Sequence, residues 1–152
     1  MTVREIMRTN VATCSPHQDL AAAAHLMRER GCGFVPVVDT QGLLVGVLTD
    51  RDVCLFASDR GRSMGHIAVA DAMSQPVFSG FAADNVKVAL ETMATHHVRR
   101  LPVVDDHGHL HGVVSIDDIV QAPRRRGAPT PAEIVAALKE ISAPPSIVMA
   151  PA

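Results

Sequence analysis

The chain has 152 residues, a formal net charge of −2, 47% apolar and 20% charged residues, no Trp, no Tyr and only four Phe. This length fits one ordinary domain or two very small ones, and the composition excludes wholesale disorder. The scarcity of aromatic residues and the slightly acidic balance exclude nucleic-acid surfaces that stack bases on aromatic rings, and they indicate no basic face for an anionic membrane.

The cellular compartment is predicted from features that the sequence lacks. Residues 1–5 contain no basic segment followed by an apolar core, and no apolar run approaches the roughly 18 residues of a membrane span. The three cysteines, Cys14, Cys32 and Cys54, have no CxxC spacing, which disfavours a disulfide framework or a zinc knuckle. We therefore expect a cytoplasmic protein with free thiols and with neither membrane nor nucleic acid as a partner.

Five secondary-structure elements are predicted in the first part of the chain. A short extended piece at Val11–Thr13 precedes a helix over Gln18–Arg30, which has apolar residues at helical spacing and ends at a glycine pair. A hairpin follows, with strands at Val35–Val38 and Leu43–Leu48 around an Asp- and Gly-containing turn. A second helix begins at Thr49. The predicted unit is therefore β-α-β-β-α.

An internal repeat then continues along the chain. A shift of 66 residues aligns residues 3–53 with 69–119 without a gap, so that Pro36–Asp39 falls on Pro102–Asp105. The second copy is thus predicted to contain the same five elements, with its extended piece at Val77–Ser79. Five elements in about fifty residues cannot bury their apolar faces alone, so we expect the copies to pack on each other about a pseudo-twofold axis.

The predicted boundaries are residues 1–57 for the first repeat, 58–68 for a polar linker, 69–122 for the second repeat, and 123–152 for a C-terminal linker, helix and apolar tail. The terminal helix is predicted from Thr130 as N-cap, Pro131 at the first helical position and Glu133 as capping-box partner. It should run to about Ile141, with Ile134, Leu138 and Ile141 on one face, before Pro144-Pro145 and the apolar residues 147–149.

The repeated string Pro-Val-Val-Asp-x-x-Gly-x-Leu-x-Gly-Val starts at Pro36 and again at Pro102, each time followed by a hydroxyl residue and, three residues later, an aspartate. This duplicated motif resembles the CBS domain, and two such units in tandem are similar to the CBS pair, or Bateman module. The resemblance covers residues 1–122 and extends to small stand-alone bacterial CBS-pair proteins. It implies an α+β fold, two ligand clefts between the repeats for adenosine nucleotides or related adenosyl compounds, and no catalysis.

Two Ser/Thr-x-x-Asp segments are the candidate ligand sites. Thr49 and Ser115 lie where a strand passes into a helix, a place suited to a phosphate, and Asp52 and Asp118 could accept hydrogen bonds from the two ribose hydroxyls. In the CBS family these positions hold phosphate and ribose. The same spacing is also nearly a capping box, which stabilises a helix without any ligand, so both interpretations stay open.

The two copies differ in the cations around their candidate sites. His97, Arg99 and Arg100 precede Pro102, whereas the first copy has uncharged residues at the positions of both arginines. CBS proteins often carry His or Arg there, within reach of ligand phosphates, and a guanidinium matches phosphate oxygens in a bidentate manner. We therefore expect a cleft formed by Ser115, Asp118, Arg99 and Arg100 to prefer phosphorylated ligands, with Arg51 as a further cation near a phosphate. The alternative is that Arg99 and Arg100 are a solvated strand start.

The histidines at 107, 109 and 111 and the three cysteines have simpler explanations. The histidines alternate along a turn and a short strand, but no carboxylate or cysteine partner has a fixed spacing to them, so no metal site is predicted. The cysteines are interpreted as small apolar residues, although a redox role for Cys14 and Cys32 is the alternative.

Three functions remain as hypotheses. The first is a non-catalytic regulatory module that senses an adenosine ligand, with AMP, ATP, S-adenosylmethionine and NAD as candidates, needs no cofactor, forms a homodimer and acts on an unidentified regulated protein. The second is a structural or interaction protein whose clefts are vestigial. The third, a nucleic-acid-binding regulator, is disfavoured by the charge and the missing aromatic residues. No nucleophile–base pair, phosphate-binding glycine loop or metal cluster indicates an enzyme.

Overall fold

The computed structural model describes residues 1–59, 61 and 63–143. The first repeat contains α1 (Leu20–Arg30), β1 (Phe34–Val38), β2 (Leu44–Thr49) and α2 (Asp50–Asp59). The second contains α3 (Val69–Ala72), β3 (Gly80–Phe81), α4 (Val86–Thr95), β4 (Arg100–Val104), β5 (Leu110–Ser115) and α5 (Ile116–Gln121). The chain continues into α6 (Pro131–Ile141), and two short 3₁₀ turns lie at Val3–Glu5 and Met64–His66.

Helix α1 illustrates how local chemistry sets the element bounds. It begins two residues after the predicted start because Asp19 is extended and its side chain accepts a hydrogen bond from the backbone N–H of Ala22 at 2.8 Å. It ends at Gly31, which adopts the left-handed conformation with φ of +60° that glycine tolerates best. The predicted glycine stop is therefore confirmed.

Each repeat contains an antiparallel hairpin, β1–β2 in the first and β4–β5 in the second, and both hairpins have the same register irregularity. The predicted extended pieces pair with these hairpins slightly later in the chain than expected. Cys14 forms a parallel bridge to Val37, and Gly80–Phe81 pairs in parallel with β4. Cys14 and Gly80 are 66 residues apart, so the repeat in the sequence is also a repeat in the structure.

The leading segments of the repeats, residues 1–8 and 67–74, cross over between the two units. The backbone N–H and C=O of Arg8 pair with Val113 of the second hairpin, both at 2.9 Å. Ser74 pairs in the same way with Val47 of the first hairpin, at 2.8 and 3.3 Å. The leading segment of each repeat therefore lies against the hairpin of the other.

The hydrophobic core follows this crossing. One buried cluster contains Val3 together with the interior residues of α4, β4, β5 and α5, and the other contains Ile67 and Val69 together with those of α1, β1 and β2. Val3 and Val69 have no exposed surface at all. Each repeat thus closes its core with residues from the other half of the chain.

Helix α6 packs on α4 and extends the core of the second repeat. Thr130 and Glu133 form the predicted capping box with Pro131 in the first turn, and Ala137 and Ile141 are buried. Lys87 of α4 forms an ion pair with Glu133 at 2.7 Å. The predicted apolar face of this helix is confirmed, whereas residues 144–145 and 147–149 lie outside the described part of the chain. No helix among the described residues is long and apolar enough to span a bilayer.

Candidate functional site

Two clefts lie between the repeats, and each takes residues from both. The first, here called the Thr49 cleft, has a volume of about 470 Å³. The second, the Ser115 cleft, has a volume of about 320 Å³. Their lining positions are related by the same 66-residue shift that relates the repeats, so they are pseudo-symmetric versions of one site.

The Ser/Thr–Asp pairs form capping boxes in both clefts. In the Thr49 cleft, one carboxylate oxygen of Asp52, Oδ2, accepts hydrogen bonds from the Thr49 hydroxyl at 2.7 Å and from the Thr49 N–H at 2.9 Å. The Asp52 N–H in turn donates to Thr49 Oγ1 at 3.1 Å. Ser115 and Asp118 repeat this arrangement at the start of α5. The capping interpretation is therefore confirmed, and a ligand would have to use the atoms that the cap leaves open.

The two caps differ in what they leave open. Within the described residues, Asp52 Oδ1 accepts no hydrogen bond, so this atom is available to a ligand. Asp118 Oδ1, in contrast, accepts a 2.9 Å hydrogen bond from Arg8 Nε. Partial burial acts to raise the pKa of Asp118, but the hydrogen bonds from Ser115 and Arg8 outweigh it and hold this pKa below its ordinary value. Both oxygens of Asp118 are thus already engaged.

Sequence reasoning did not select Arg8, because Arg8 reaches Asp118 only through the crossing of the leading segments. Its counterpart in the Thr49 cleft, 66 residues later, is Ser74, which has no charge. The alignment of the repeats shows this Arg/Ser difference, but it does not show that residues 1–8 lie beside the second repeat.

The cations are distributed differently from the prediction. Arg99 lines the Thr49 cleft together with Arg51 and His97, and of these four cations Arg100 alone also lines the Ser115 cleft. The expectation that Arg99 shares a cleft with Ser115 and Asp118 is therefore wrong. The reason is that each cleft combines the strand-to-helix turn of one repeat with the segment before the hairpin of the other.

The clefts have the same formal balance of Arg and Asp, but not the same available charge. In the Ser115 cleft, Arg8 is paired with Asp118, and Arg30 donates to Asn10 Oδ1 at 3.1 Å. Among the described residues, no side chain pairs with the guanidinium groups of Arg51, Arg99 or Arg100. The position of Arg51 is moreover taken by Asp117 in the Ser115 cleft. Unpaired guanidinium groups are therefore concentrated in the Thr49 cleft.

An aromatic ring also distinguishes the Thr49 cleft. Phe78 lines it with 39% of its surface exposed and stacks on His96, with ring centroids 3.6 Å apart and an angle of 11° between the planes. The corresponding residue of the Ser115 cleft is Ala12. An exposed flat ring can stack on a planar base, and sequence reasoning did not select this residue.

The histidines after β4 surround a carboxylate outside the clefts. Asp105 accepts hydrogen bonds from the backbone of His107 and His109, and its Oδ2 lies 3.3 Å from His109 Nδ1 and 3.4 Å from His111 Nε2. These contacts, led by the His109 N–H, lower the pKa of Asp105 to about 2. Across residues 1–59, 61 and 63–143, no group of three His, Cys, Asp or Glu side chains is placed to hold a metal ion.

The three cysteines are free thiols in the structure. Cys14 is buried, and desolvation raises the pKa of its thiol to about 11, which keeps it protonated and unreactive. Cys32 is half-buried and lines the Ser115 cleft, and Cys54 is exposed on α2.

Comparison with protein families identifies the fold. The model described as "CBS domain" matches residues 3–59 and again residues 69–125. The chain belongs to the CBS domain family. It is a CBS pair, since the two matches cover the two repeats.

Two of the following three relatives resemble this CBS pair over most of their own length, and the third over a small part of it. CBS domain-containing protein YhcV of Bacillus subtilis is 42% identical over 118 residues, which are 78% of this chain and 82% of the relative. Hypoxic response protein 1 of Mycobacterium tuberculosis is 32% identical over 120 residues, 79% of this chain and 83% of the relative. Inosine-5'-monophosphate dehydrogenase of Methanocaldococcus jannaschii is 33% identical, but the match covers only 22% of that enzyme.

Solved structures confirm the fold. The crystal structure of Hypoxic Response Protein I with two coordinated zinc ions has a TM-score of 0.74 and 31% identity, and the match covers 81% of this chain and all of that one. The CBS domain pair of protein MJ0100 in complex with 5'-methylthioadenosine and S-adenosyl-L-methionine has a TM-score of 0.71 and 23% identity, covering 80% of this chain and 98% of that one. The predicted α+β arrangement of two CBS repeats is therefore confirmed.

Proposed function

We propose that this CBS pair is a non-catalytic regulatory module that binds an adenosine nucleotide in the Thr49 cleft. The observation that carries the proposal is the combination of an open carboxylate oxygen on Asp52 with the unpaired guanidinium groups of Arg51 and Arg99 in one cleft. The carboxylate suits the two hydroxyls of a ribose, and the guanidinium groups suit a phosphate.

The remaining contacts of a nucleotide also have candidate partners. Phe78 offers its exposed ring to the base, and Thr49 offers its hydroxyl at the start of α2. His97 and Arg100 line the same cleft as additional donors for phosphate oxygens. The bound adenosyl compounds of the MJ0100 pair support this ligand class, since that pair has the same fold. Candidate ligands are AMP, ATP, NAD and S-adenosylmethionine.

The Ser115 cleft is proposed as the weaker site. A ribose that uses Asp118 has to compete with the Arg8 hydrogen bond, and the position of Arg51 is acidic here, at Asp117. Because the Arg8 side chain is 72% exposed, water screens this contact, and the ligand has to displace only a modest interaction. We therefore expect a nucleotide to fill the Thr49 cleft first.

Calorimetric titration tests the assignment. AMP and adenosine are each titrated into the parent protein, into Arg99→Ala, and into Arg30→Ala as the matched control in the Ser115 cleft. Loss of one charge-assisted phosphate contact should lower the preference for AMP over adenosine about tenfold in Arg99→Ala and leave it unchanged in Arg30→Ala. An unchanged preference in Arg99→Ala contradicts the phosphate assignment.

A second candidate function is an interaction protein with vestigial clefts, and the complete capping boxes favour it because they need no ligand. The absence of heat with AMP, ATP, NAD and S-adenosylmethionine would select this alternative.

In either case we propose that the chain self-associates, because α2, α4 and α5 expose the apolar side chains of Leu55, Val88 and Val120. Light scattering that shows a monomer at micromolar concentration would contradict this. The regulated protein is a further, unidentified partner.

A further inference from the structure

His97 stands between the Thr49 cleft and the C-terminal helix. His97 is one of the residues that line the cleft, and its ring Nδ1 lies 2.7 Å from the backbone carbonyl oxygen of Glu140 in the last turn of α6. Because a carbonyl oxygen can only accept, Nδ1 carries the proton and donates it. Helix α6 lies outside both segments that match the CBS model, so this contact is an addition to the pair.

The backbone of His97 is in a conformation that few side chains adopt. Its φ is +54°, and it is the only described residue other than glycine with a positive φ. The aligned residue of the first repeat is Gly31, which ends α1 with φ of +60°. The second repeat thus has a histidine at the position where the first repeat has a glycine, which adopts a positive φ without strain. Backbone strain at a residue that keeps its side chain in this way points to a role for the side chain itself.

Helix α6 is held at both ends and along one face. Lys87 pairs with Glu133 near its start, and Ala137 and Ile141 are buried against the second repeat. At its end, the Glu140 carbonyl accepts a hydrogen bond from the Ala143 N–H at 3.1 Å, and His97 Nδ1 adds a second donor to the same oxygen. The last turn of α6 and the wall of the Thr49 cleft therefore meet at one residue, His97.

We propose that His97 couples ligand binding in the Thr49 cleft to the docking of α6, which makes α6 the element that reports occupancy to a partner. The proposal rests on the proposed nucleotide function of that cleft. The coupling is positive, because docked α6 accepts the Nδ1 proton of His97 and a bound phosphate would accept a proton from Nε2 of the same ring in its imidazolium form. The entropy lost in ordering the ring is then lost only once for the two contacts. By linkage, α6 docking must then tighten nucleotide binding by the same factor.

The exposure of His97 and Glu140 to solvent limits the size of the coupling between the cleft and α6. His97 and Glu140 are both exposed, so their hydrogen bond competes with water. We therefore expect a coupling near the low end of those measured for allosteric proteins, about fivefold.

Hydrogen exchange and calorimetry on the full chain test the coupling, with AMP as the probe. In the parent protein, AMP should slow amide exchange about fivefold in the last turn of α6. In His97→Gly, which places the first-repeat residue at this position, AMP should leave that exchange unchanged. Lys87→Ala loosens the other end of α6 without touching the cleft, so its exchange should rise but still respond to AMP.

A second pair of variants separates coupling from direct contact of His97 with the ligand. Ala137→Asp disrupts the buried face of α6 and leaves the ring in place, and we expect it to weaken AMP binding about fivefold. Val135→Asp makes the same change on the outer face of α6, where Val135 is 52% exposed. This variant should bind AMP like the parent.

The outcomes distinguish this proposal from the one on which it rests. If AMP gives no heat with the parent protein, both proposals fall. If AMP binds the parent, Ala137→Asp and Val135→Asp with one affinity, and α6 exchange is the same with and without AMP, only the coupling is overturned.

Discussion

Gly46 and Gly112 lie where the crossing segments touch the hairpins, and each leaves room for a different kind of neighbour. A Cβ at Gly112 would lie 2.5 Å from the backbone oxygen of Arg8. A Cβ at Gly46 would lie 2.5 Å from the sulfur of Met73, which is part of a flexible side chain. The crossing therefore requires glycine more strictly in the second hairpin, at Gly112, than in the first, at Gly46.

This difference predicts unequal costs for the same substitution. Gly112→Ala should lower the free energy of unfolding by about 1–3 kcal/mol, since the backbone of Arg8 has to move. Gly46→Ala should cost less, because a rotamer change of Met73 moves its sulfur and its Cγ, and only its Cβ, at 3.2 Å, then has to shift by a few tenths of an ångström. Urea denaturation followed by circular dichroism measures both values, and equal costs would show that the Arg8 backbone adapts as easily as a methionine side chain.

Asp118 gives a prediction for pH. Its folded-state pKa lies below the ordinary value, so its contribution is fully present above the unfolded pKa of about 4 and is lost as the pH falls through the folded pKa. The stability advantage of the parent over Asp118→Asn should therefore shrink between pH 6 and pH 3. The free energy of unfolding of Arg8→Ala should fall less between these two pH values than that of the parent, because this variant lacks one of the contacts that lower the pKa of Asp118. Denaturation curves at the two pH values check this, and a constant difference would contradict it.

At the scale of elements, the start of α6 depends on local contacts. The Thr130 side chain caps the helix and Glu133 completes the box, and Lys87 lowers the pKa of Glu133 to about 2 together with the Thr130 hydrogen bonds. Thr130→Ala should reduce stability by about 0.5–2 kcal/mol and speed amide exchange in the first turn of α6. Thr95→Ala, which changes an exposed threonine at the end of α4, is the control and should change neither quantity. An unaltered first turn in Thr130→Ala would mean that packing alone holds the helix.

The elements themselves were largely predictable from the sequence because their signals are local. Helix periodicity, the glycine after α1, the hairpin turns and the Thr130 capping box each depend on residues a few positions apart. The starting points of short strands were less predictable, since Gly80–Phe81 is defined by its partner strand and not by its own composition. Both Ser/Thr–Asp pairs were found, including the possibility that they are caps.

The composition of each cleft could not be derived in the same way. Arg8 lines the Ser115 cleft, and Phe78 and Arg99 line the Thr49 cleft, only because the leading segment of each repeat packs against the hairpin of the other. The 66-residue repeat establishes which positions are equivalent, but equivalence does not say which copy a residue faces. Which repeat a residue faces depends on the packing of Val3 and Val69, each in the core of the opposite repeat. The residues next to them in the sequence do not indicate this packing.

For the whole molecule, the exchanged cores predict one cooperative unfolding transition. Val3→Ala and Val69→Ala each open a cavity in a different core, and each should cost about 1–3 kcal/mol and lower the midpoint for both repeats together. Val135→Ala, at a site 52% exposed on the outer face of α6, is the control and should have little effect. Far-UV circular dichroism and methyl NMR signals from each repeat should give one Tm, whereas two separate midpoints would show independent repeats.

The crossing also has a consequence for how the protein responds to dilution. A chain with a single repeat would have to obtain its missing leading segment from a second chain, so its folding would be bimolecular and would fail at low concentration. In the tandem chain, the short connection between α2 and α3 supplies that segment at an effective concentration in the millimolar range. Each half therefore acts as a permanently tethered partner of the other, and the formation of the fold is expected to be independent of chain concentration.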